Sequence, residues 1–167
     1  MYMSRYSLAD YRVTIEGLLP GISDPIRITI GGAGENGEGS CLGEIKVTRN
    51  TELWNTVADA TGSWVHNRNL DKTGTVELSL RQVSDDVVRL IQLCSSYENV
   101  TSDATGLTIT VSPSHSYSVK AEAFCNDCFP VKVPDQVFGD TAAEQSWVFT
   151  CGQVKFPTNV NFEGAGN

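Results

Sequence analysis

Apolar and polar side chains alternate with a period of two along most of this chain of 167 residues. Successive side chains of a β-strand point to opposite faces, so this alternation predicts strands with one buried face. A chain with about eight such strands folds as a β-sandwich or a β-barrel. The apolar members of the alternating segments are Tyr11, Val13 and Ile15; Ile26, Ile28 and Ile30; Ile45 and Val47; Val76, Leu78 and Leu80; Leu107, Ile109 and Val111; Val119, Ala121, Ala123 and Cys125; and Trp147, Phe149 and Cys151.

One segment, SDDVVRLIQLCSSYEN, departs from the alternation. Its apolar residues recur at positions i, i+3, i+4 and i+7, which is the stripe of an amphipathic helix: Val87, Leu90, Ile91 and Cys94. Asp85 and Asp86 favour the positive end of the helix dipole, and Asp85 can pair with Arg89 one turn later. The sequence therefore predicts a mainly β fold, a small antiparallel β-barrel or sandwich, with one flanking α-helix over about residues 85–96.

Length and composition indicate a single domain over residues 1–167. Hydrophobic residues make up 40% of the chain and charged residues 19%, which is ordinary for a globular protein. No apolar run approaches the ~20 residues that a membrane helix needs, and the opening stretch MYMSRYSLADYR does not resemble a signal peptide. We expect a chain without a membrane anchor that is made and folded in a cytoplasm.

The charge balance argues against a protein that binds nucleic acid tightly. The chain has 12 basic and 20 acidic residues, which gives a net charge of −8. Such a protein repels phosphates as a whole. A surface past which DNA slides without binding is compatible with the same charge.

The stretch RITIGGAGENGEGSCLGEIKV contains a G-x-G-x-x-G motif at Gly32, Gly34 and Gly37. A dinucleotide-binding loop needs a following helix, because the helix N-terminus holds the pyrophosphate. Here a strand follows, and Glu35 and Glu38 place negative charge where the anion would lie. The motif is therefore interpreted as a flexible loop between two strands, and no cofactor is expected.

Five cysteines are present, so at least one cannot pair within the chain: Cys41, Cys94, Cys125, Cys128 and Cys151. Cys125 and Cys128 form a C-x-x-C motif, but no second pair completes a zinc site, and no metal is predicted. The Asn and Asp of CNDCFP predict a hairpin turn. Buried or free thiols are favoured, and a structural disulfide within or between subunits is the next alternative.

No constellation of residues supports catalysis. The segment SPSHSY places serines beside His115, but a catalytic triad is assembled from separate loops and cannot be inferred from adjacency. Trp54, Trp64 and Trp147 lie in strand patterns, which favours core packing or a subunit interface over a sugar-stacking platform. The chain is therefore expected not to be an enzyme. A carbohydrate-binding or protein-binding β-sandwich remains an alternative function.

The stretch LDKTGTVELSLRQVSDDVVRLIQL, residues 70–93, runs from a turn into an alternating strand and directly into the amphipathic helix. This order resembles the central strand–helix signature of bacteriophage tail tube proteins, particularly those of contractile tails. The surrounding order is similar too, with an opening strand pair, a long glycine-rich loop, a further hairpin and the closing strand EQSWVFTCGQVKF. The resemblance extends over about residues 6–162.

The resemblance implies the tail-tube fold, which is shared with the type VI secretion tube protein. In that family six subunits form a ring, and stacked rings form a tube that conducts DNA into the host without binding it specifically. It implies a structural virion protein of the phage tail, assembled in the bacterial host cytoplasm, with the sheath, baseplate and tail terminator as partners. An effector-delivery tube of the type VI kind is the neighbouring alternative.

The resemblance also implies a role for the loop at residues 31–40, which by position would reach a neighbouring subunit or ring. The candidate contact residues are Gly32, Gly34, Glu35, Gly37 and Glu38. We expect this loop to order when rings stack. Cys41 ends the loop and is predicted to form an inter-subunit disulfide after the particle leaves the reducing cytoplasm. The candidate partners are Cys125, Cys128 and Cys151.

Overall fold

The fold comes from a computed structural model, which describes residues 11–21, 23–31, 42–82, 85–98, 104–113 and 122–157. Nine strands and one helix lie within these residues. They are β1 (Tyr11–Gly17), β2 (Ile26–Gly31), β3 (Leu42–Arg49), β4 (Trp54–Ala58), β5 (Trp64–Arg68), β6 (Gly74–Arg81), α1 (Asp85–Glu98), β7 (Leu107–Pro113), β8 (Ala123–Pro130) and β9 (Glu144–Lys155). No helix in this part of the chain is long and apolar enough to cross a bilayer.

Seven strands form one antiparallel sheet in the order β2-β1-β7-β8-β9-β6-β3, and β4 pairs with β5 in a separate two-stranded sheet. The terminal strands β2 and β3 are not paired with each other within the described residues, so the sheet is not a closed barrel. The mainly β fold with one helix is confirmed. Of the two predicted forms, an open, sandwich-like arrangement is the one observed.

The core lies between the inner face of the sheet and α1. The predicted alternation is confirmed in β6, where Val76, Leu78 and Leu80 are fully buried and the residues between them are partly exposed. Trp147 and Phe149 of β9 are the largest fully buried side chains. Because β9 lies between β8 and β6, these two aromatic residues occupy the middle of the sheet.

The helix covers the sheet with the face that its spacing predicts. Val87, Leu90 and Cys94 are buried, and the helix extends two residues past the predicted end, to Glu98. The predicted ion pair of the first turn is wrong in its acidic partner. Arg89 Nη1 lies 3.5 Å from Asp86 Oδ1, an i,i+3 pair. Residues three apart share a helix face as closely as residues four apart do, so Asp86 can take this role.

The hairpin turn predicted in CNDCFP is also wrong, because β8 continues through this segment. Cys125 and Cys128 of β8 lie opposite Ile109 and Leu107 of β7. The two cysteines are three residues apart, whereas their partners are two residues apart, so β8 has one extra residue here. This β-bulge contains Asp127, which has a φ of 55°. A bulge shifts the alternation by one residue. Both cysteines therefore face the core although they are three residues apart.

The bulge makes residue 127 sensitive to side-chain type. We expect Asp127→Ala to be about 1 to 2 kcal/mol less stable than Asp127→Gly. A residue with a Cβ, other than Asn or Asp, is destabilised by about that amount in the left-handed backbone conformation of residue 127. Urea denaturation of the two variants measures the difference, since both lack the carboxylate. Equal stabilities would show that the bulge does not require a positive φ.

Candidate functional site

The pairing of β3 with β6 continues beyond the main sheet as a projecting hairpin, residues 50–73, which we call the arm. The backbone N–H of Asn50 donates to the Thr73 carbonyl at 3.0 Å, and the backbone N–H of Asn69 donates to the Leu53 carbonyl at 2.9 Å. These bonds lead into the β4–β5 ladder, which runs from Trp54 opposite Arg68 to Ala58 opposite Trp64. The chain thus leaves the sheet along β3, turns at the tip of the arm and returns along β6.

Every residue of the arm from 52 to 72 is exposed. An isolated two-stranded hairpin is marginally stable in water. Single exposed apolar side chains are ordinary, but six large ones on one short hairpin indicate a surface that binds something. The exposed large hydrophobic side chains of the arm are Leu53, Trp54, Val57, Trp64, Val65 and Leu70. The arm therefore has the character of a surface that is covered in an assembly.

The two faces of the arm differ. Cross-strand partners share a face, so Trp54 and Arg68 lie on the same side as Ala58 and Trp64. Between these two pairs, Thr56 Oγ1 and His66 Nδ1 are hydrogen-bonded at 2.7 Å. The opposite face carries the apolar pair Val57 and Val65. We call the first side the tryptophan face, and tryptophan is enriched in the centres of protein interfaces.

The tip of the arm is ordered by the carboxylate of Asp59. Its Oδ1 accepts hydrogen bonds from the Thr61 hydroxyl at 2.6 Å, the Thr61 amide at 2.8 Å and the Ser63 amide at 3.0 Å. The Thr61 hydroxyl bond, followed by the amide bonds, lowers the pKa of Asp59. Gly62 takes the positive φ of 87° that closes the turn. The carboxylate therefore stays charged at neutral pH and holds the tip in one conformation.

The root of the arm is anchored to β9. Arg49 donates from Nη2 and Nε to the Val154 carbonyl at 2.8 and 3.1 Å, and its guanidinium lies 5.6 Å from the centroid of the Phe156 ring. The Val154 amide donates to the Lys72 carbonyl at 2.8 Å. Both strands of the arm are thus tied to the same residue of the main sheet. These contacts connect the root of the arm to the main sheet.

The solvent face of β3, β6 and β9 carries an acidic groove. Glu44, Glu77 and Glu144 line it together with Lys46. Ser146 donates a hydrogen bond to Glu77, and Ser79 donates one to Glu144, so two of the carboxylates are held in place. Three carboxylates against one ammonium give this groove a negative charge. It is unsuited to holding a phosphate.

The edges of the main sheet offer a further contact surface. In the described part of the chain, β2 pairs only with β1, and β3 pairs only with β6. An edge strand presents backbone donors and acceptors that a strand of another chain can pair with. These edges lie at opposite ends of the strand order.

The predicted site residues fall into two groups. Gly32, Gly34, Glu35, Gly37 and Glu38 of the loop, together with Cys41, lie outside the described residues, so their contacts stay a prediction. Cys125, Cys128 and Cys151 are buried in the core. A bond from any of them to Cys41 of another subunit would require the core to open, and this pairing also stays a prediction.

One of the three tryptophans lies in the core and the other two are exposed. Trp147 is buried in the core, whereas Trp54 and Trp64 are 59% and 66% exposed on the arm. The strand patterns alone do not predict that residues 50–73 project from the main sheet. A signal for it is present, because the turn residues of DATGS separate the strand patterns WNTVA and WVHNR.

The open antiparallel sheet with one helix is the fold of known injection-system components. The PVC sheath/tube terminator in the extended state matches with a TM-score of 0.56 and 10% identity, covering 94% of this chain and 99% of that chain. The anti-feeding prophage baseplate, 6-fold symmetrised, matches with a TM-score of 0.54 and 10% identity over 94% and 97% of the two chains. The PVC sheath-tube complex in the extended state matches with a TM-score of 0.51 and 10% identity over 92% of each.

At this level of identity, the likeness to these structures shows the fold alone. The sequence gives the more specific result, because the model of the bacteriophage PhiTE tail tube protein family matches residues 3–157. The chain belongs to this family of phage tail tube proteins, and the predicted family is confirmed. Membership indicates a structural role. A comparison with curated proteins found no significant match.

Proposed function

We propose that this protein is the subunit of a phage tail tube and that the arm joins neighbouring copies into stacked rings around a channel for DNA. The observation that carries the proposal is the exposure of residues 52–72, with six large apolar side chains on a hairpin that is held at both its tip and its root. An ordered apolar projection of this kind is stable when another surface covers it.

A second copy of the chain is the partner that best explains the arm. A contact between the arm of one subunit and the body of the next leaves the second arm free, so the contact is heterologous and repeats. A repeated heterologous contact closes into a ring or continues as a filament. Membership of a tail tube family supports this geometry, and the six-fold symmetry of the anti-feeding prophage baseplate supports a ring of six.

The charge of the chain supports DNA passage. Each subunit carries a net charge of −8, and the groove of Glu44, Glu77 and Glu144 adds to the negative potential of the solvent face of the sheet. Like charges keep DNA phosphates from docking, so a channel lined by this face would let DNA slide. The sheath, baseplate and terminator are the partners this role requires, and the described neighbours in fold come from assemblies of these kinds.

Delivery of a protein effector is the second candidate function. It is favoured by the likeness in fold to a component of an extracellular contractile injection system. The two functions differ in what the particle carries. Purified particles that contain this protein and package DNA support the phage tail, whereas particles that carry protein cargo and no DNA support the injection device.

Electron microscopy of the purified protein tests assembly directly. We expect rings and tubes with a central channel at raised protein concentration, and six-fold symmetry in averaged end views, because the arm contact repeats around a ring. Sedimentation velocity over the same concentrations should show a monomer converting to large species. A monomer that persists at every concentration and salt condition would contradict the proposal.

A further inference from the structure

Three thiols meet in the core beneath the root of the arm. Cys125 and Cys128 of β8 and Cys151 of β9 are 0%, 0% and 3% exposed. The Sγ atoms of Cys128 and Cys151 lie 2.9 Å apart. These two residues are also direct partners in the β8–β9 register, whereas Cys125 stands opposite Val154.

The strand register places Cys128 and Cys151 directly opposite each other, which is a suitable arrangement for a disulfide. Opposed residues of an antiparallel pair have Cα atoms about 4.5 to 5.5 Å apart, which falls within the range that disulfides span. Both side chains point to the core face, so neither strand has to rotate. The other possible pairs fit less well, because Cys125 and Cys151 are not opposed and Cys125 and Cys128 lie along one strand.

We propose that Cys128 and Cys151 form a cross-strand disulfide within each subunit by exchange with a small-molecule disulfide such as glutathione disulfide. The thiolate of one cysteine attacks glutathione disulfide, forms a mixed disulfide and releases one glutathione. The second cysteine then attacks the protein sulfur of the mixed disulfide and releases the other glutathione. The two cysteines together lose two protons and two electrons, and glutathione disulfide is reduced to two glutathione thiols.

Burial controls when this exchange happens. The hydrogen bond from Cys125 lowers the pKa of Cys151, but the hydrogen bond with Cys128 and desolvation outweigh it and raise that pKa to about 12. Only the thiolate attacks a disulfide, so exchange in the closed subunit is slow. The bond therefore forms while the chain folds or when β8 and β9 open locally.

The position of the disulfide connects it to the arm. Cys151 pairs with Gly74, the first residue of β6 after the arm, and Val154 of the same strand anchors Arg49. The disulfide ties β8 to the strand that holds the arm in place. It is distinct from the predicted bond to Cys41, because it uses both thiols inside one subunit.

Peptide mapping of the whole protein tests this pairing. The protein is incubated with glutathione disulfide in urea below the unfolding transition, alkylated and digested with trypsin without reduction. Cleavage after Lys120, Lys132 and Lys155 places Cys125 and Cys128 in peptide 121–132 and Cys151 in peptide 133–155. We expect these two peptides to be linked, with a mass equal to their sum minus two hydrogen atoms plus one alkyl group on the remaining free thiol of peptide 121–132.

Variants assign the bond to one cysteine of peptide 121–132. The link should persist in Cys125→Ala and in the matched control Cys94→Ala, another buried thiol, and should disappear in Cys128→Ala. The oxidised protein should melt about 5 to 10 °C above the reduced protein, because the bond closes a loop in the unfolded chain.

Three results would overturn the proposal. They are a bond inside peptide 121–132, a bond to the peptide containing Cys41 in place of the expected one, and five alkylated thiols after incubation with excess glutathione disulfide. The wild-type map decides among these without any variant, and fragmentation of the linked peptides shows which cysteine of peptide 121–132 carries the alkyl group, so a variant that fails to fold does not affect the test. An alkyl group on Cys128 would make Cys125 the partner and would contradict the proposal. Assembly into tubes is measured separately and does not depend on the outcome.

Discussion

The double variant Trp54→Ser, Trp64→Ser is expected to fold as a monomer and to lose the ability to form tubes. Both indoles are more than half exposed, at 59% and 66%, so their removal leaves the core intact and changes the free energy of unfolding by less than about 1 kcal/mol. Tryptophans at the centre of an interface each contribute about 2 kcal/mol or more to binding. Losing both weakens each contact by about 4 kcal/mol, which is roughly a thousandfold in the dissociation constant.

The loss should be larger for the polymer than for one contact, because every subunit in a tube makes the same contact. Sedimentation velocity and negative-stain microscopy at matched concentrations measure the assembly, and circular dichroism with thermal melting confirms that the variant is folded. Phe138→Ser is the control, since Phe138 is an aromatic residue outside the arm that is 90% exposed. We expect this control to assemble.

Two outcomes would count against the arm as the contact surface. Tubes formed by the double variant at wild-type concentrations would show that the tryptophan face is not needed. An equal loss of assembly in Phe138→Ser would show that exposed aromatic residues promote nonspecific hydrophobic association. Only a loss confined to the arm variant supports a specific contact.

The sequence predicts the core of this fold well because one face of each strand is buried within the chain. Val76, Leu78 and Leu80 alternate with polar residues, and that period determines both the strand and the direction of its side chains. The same period shifts at Cys125 and Cys128, where a bulge intervenes. A bulge depends on the register with neighbouring strands, so a local pattern cannot predict it.

The arm could not be predicted from the sequence, for a different physical reason. Trp54 and Val57 lie on opposite faces of one strand, and both are exposed. Hydrophobic patterning indicates that a side chain will be covered, but not whether its own chain or another chain covers it. The glycine-rich loop is easier to predict, because glycine is a strong local signal of a loop. The arm could be distinguished from the core only after the strands were placed in a sheet.

Gly74→Ala is expected to lower the free energy of unfolding by about 2 to 3 kcal/mol, because the position has no room for a side chain. Gly74 is buried where β6 leaves the arm, and a Cβ there would clash with the Thr48 carbonyl oxygen and lie 2.6 Å from Val154 Cγ2. The carbonyl belongs to the backbone of β3 and cannot rotate aside. β3 and β6 would have to separate at the root of the arm.

Urea denaturation measures this loss, and thermal melting should fall by about 5 to 10 °C for a chain of this size. Gly139→Ala is the matched control, because a Cβ at Gly139 meets nothing within 4 Å. It should be neutral or slightly stabilising, since alanine reduces the entropy of the unfolded chain. Similar, small effects in both variants would mean that β3 and β6 separate at no cost. Close packing at Gly74 would then not be what holds β3 and β6 together at the root of the arm.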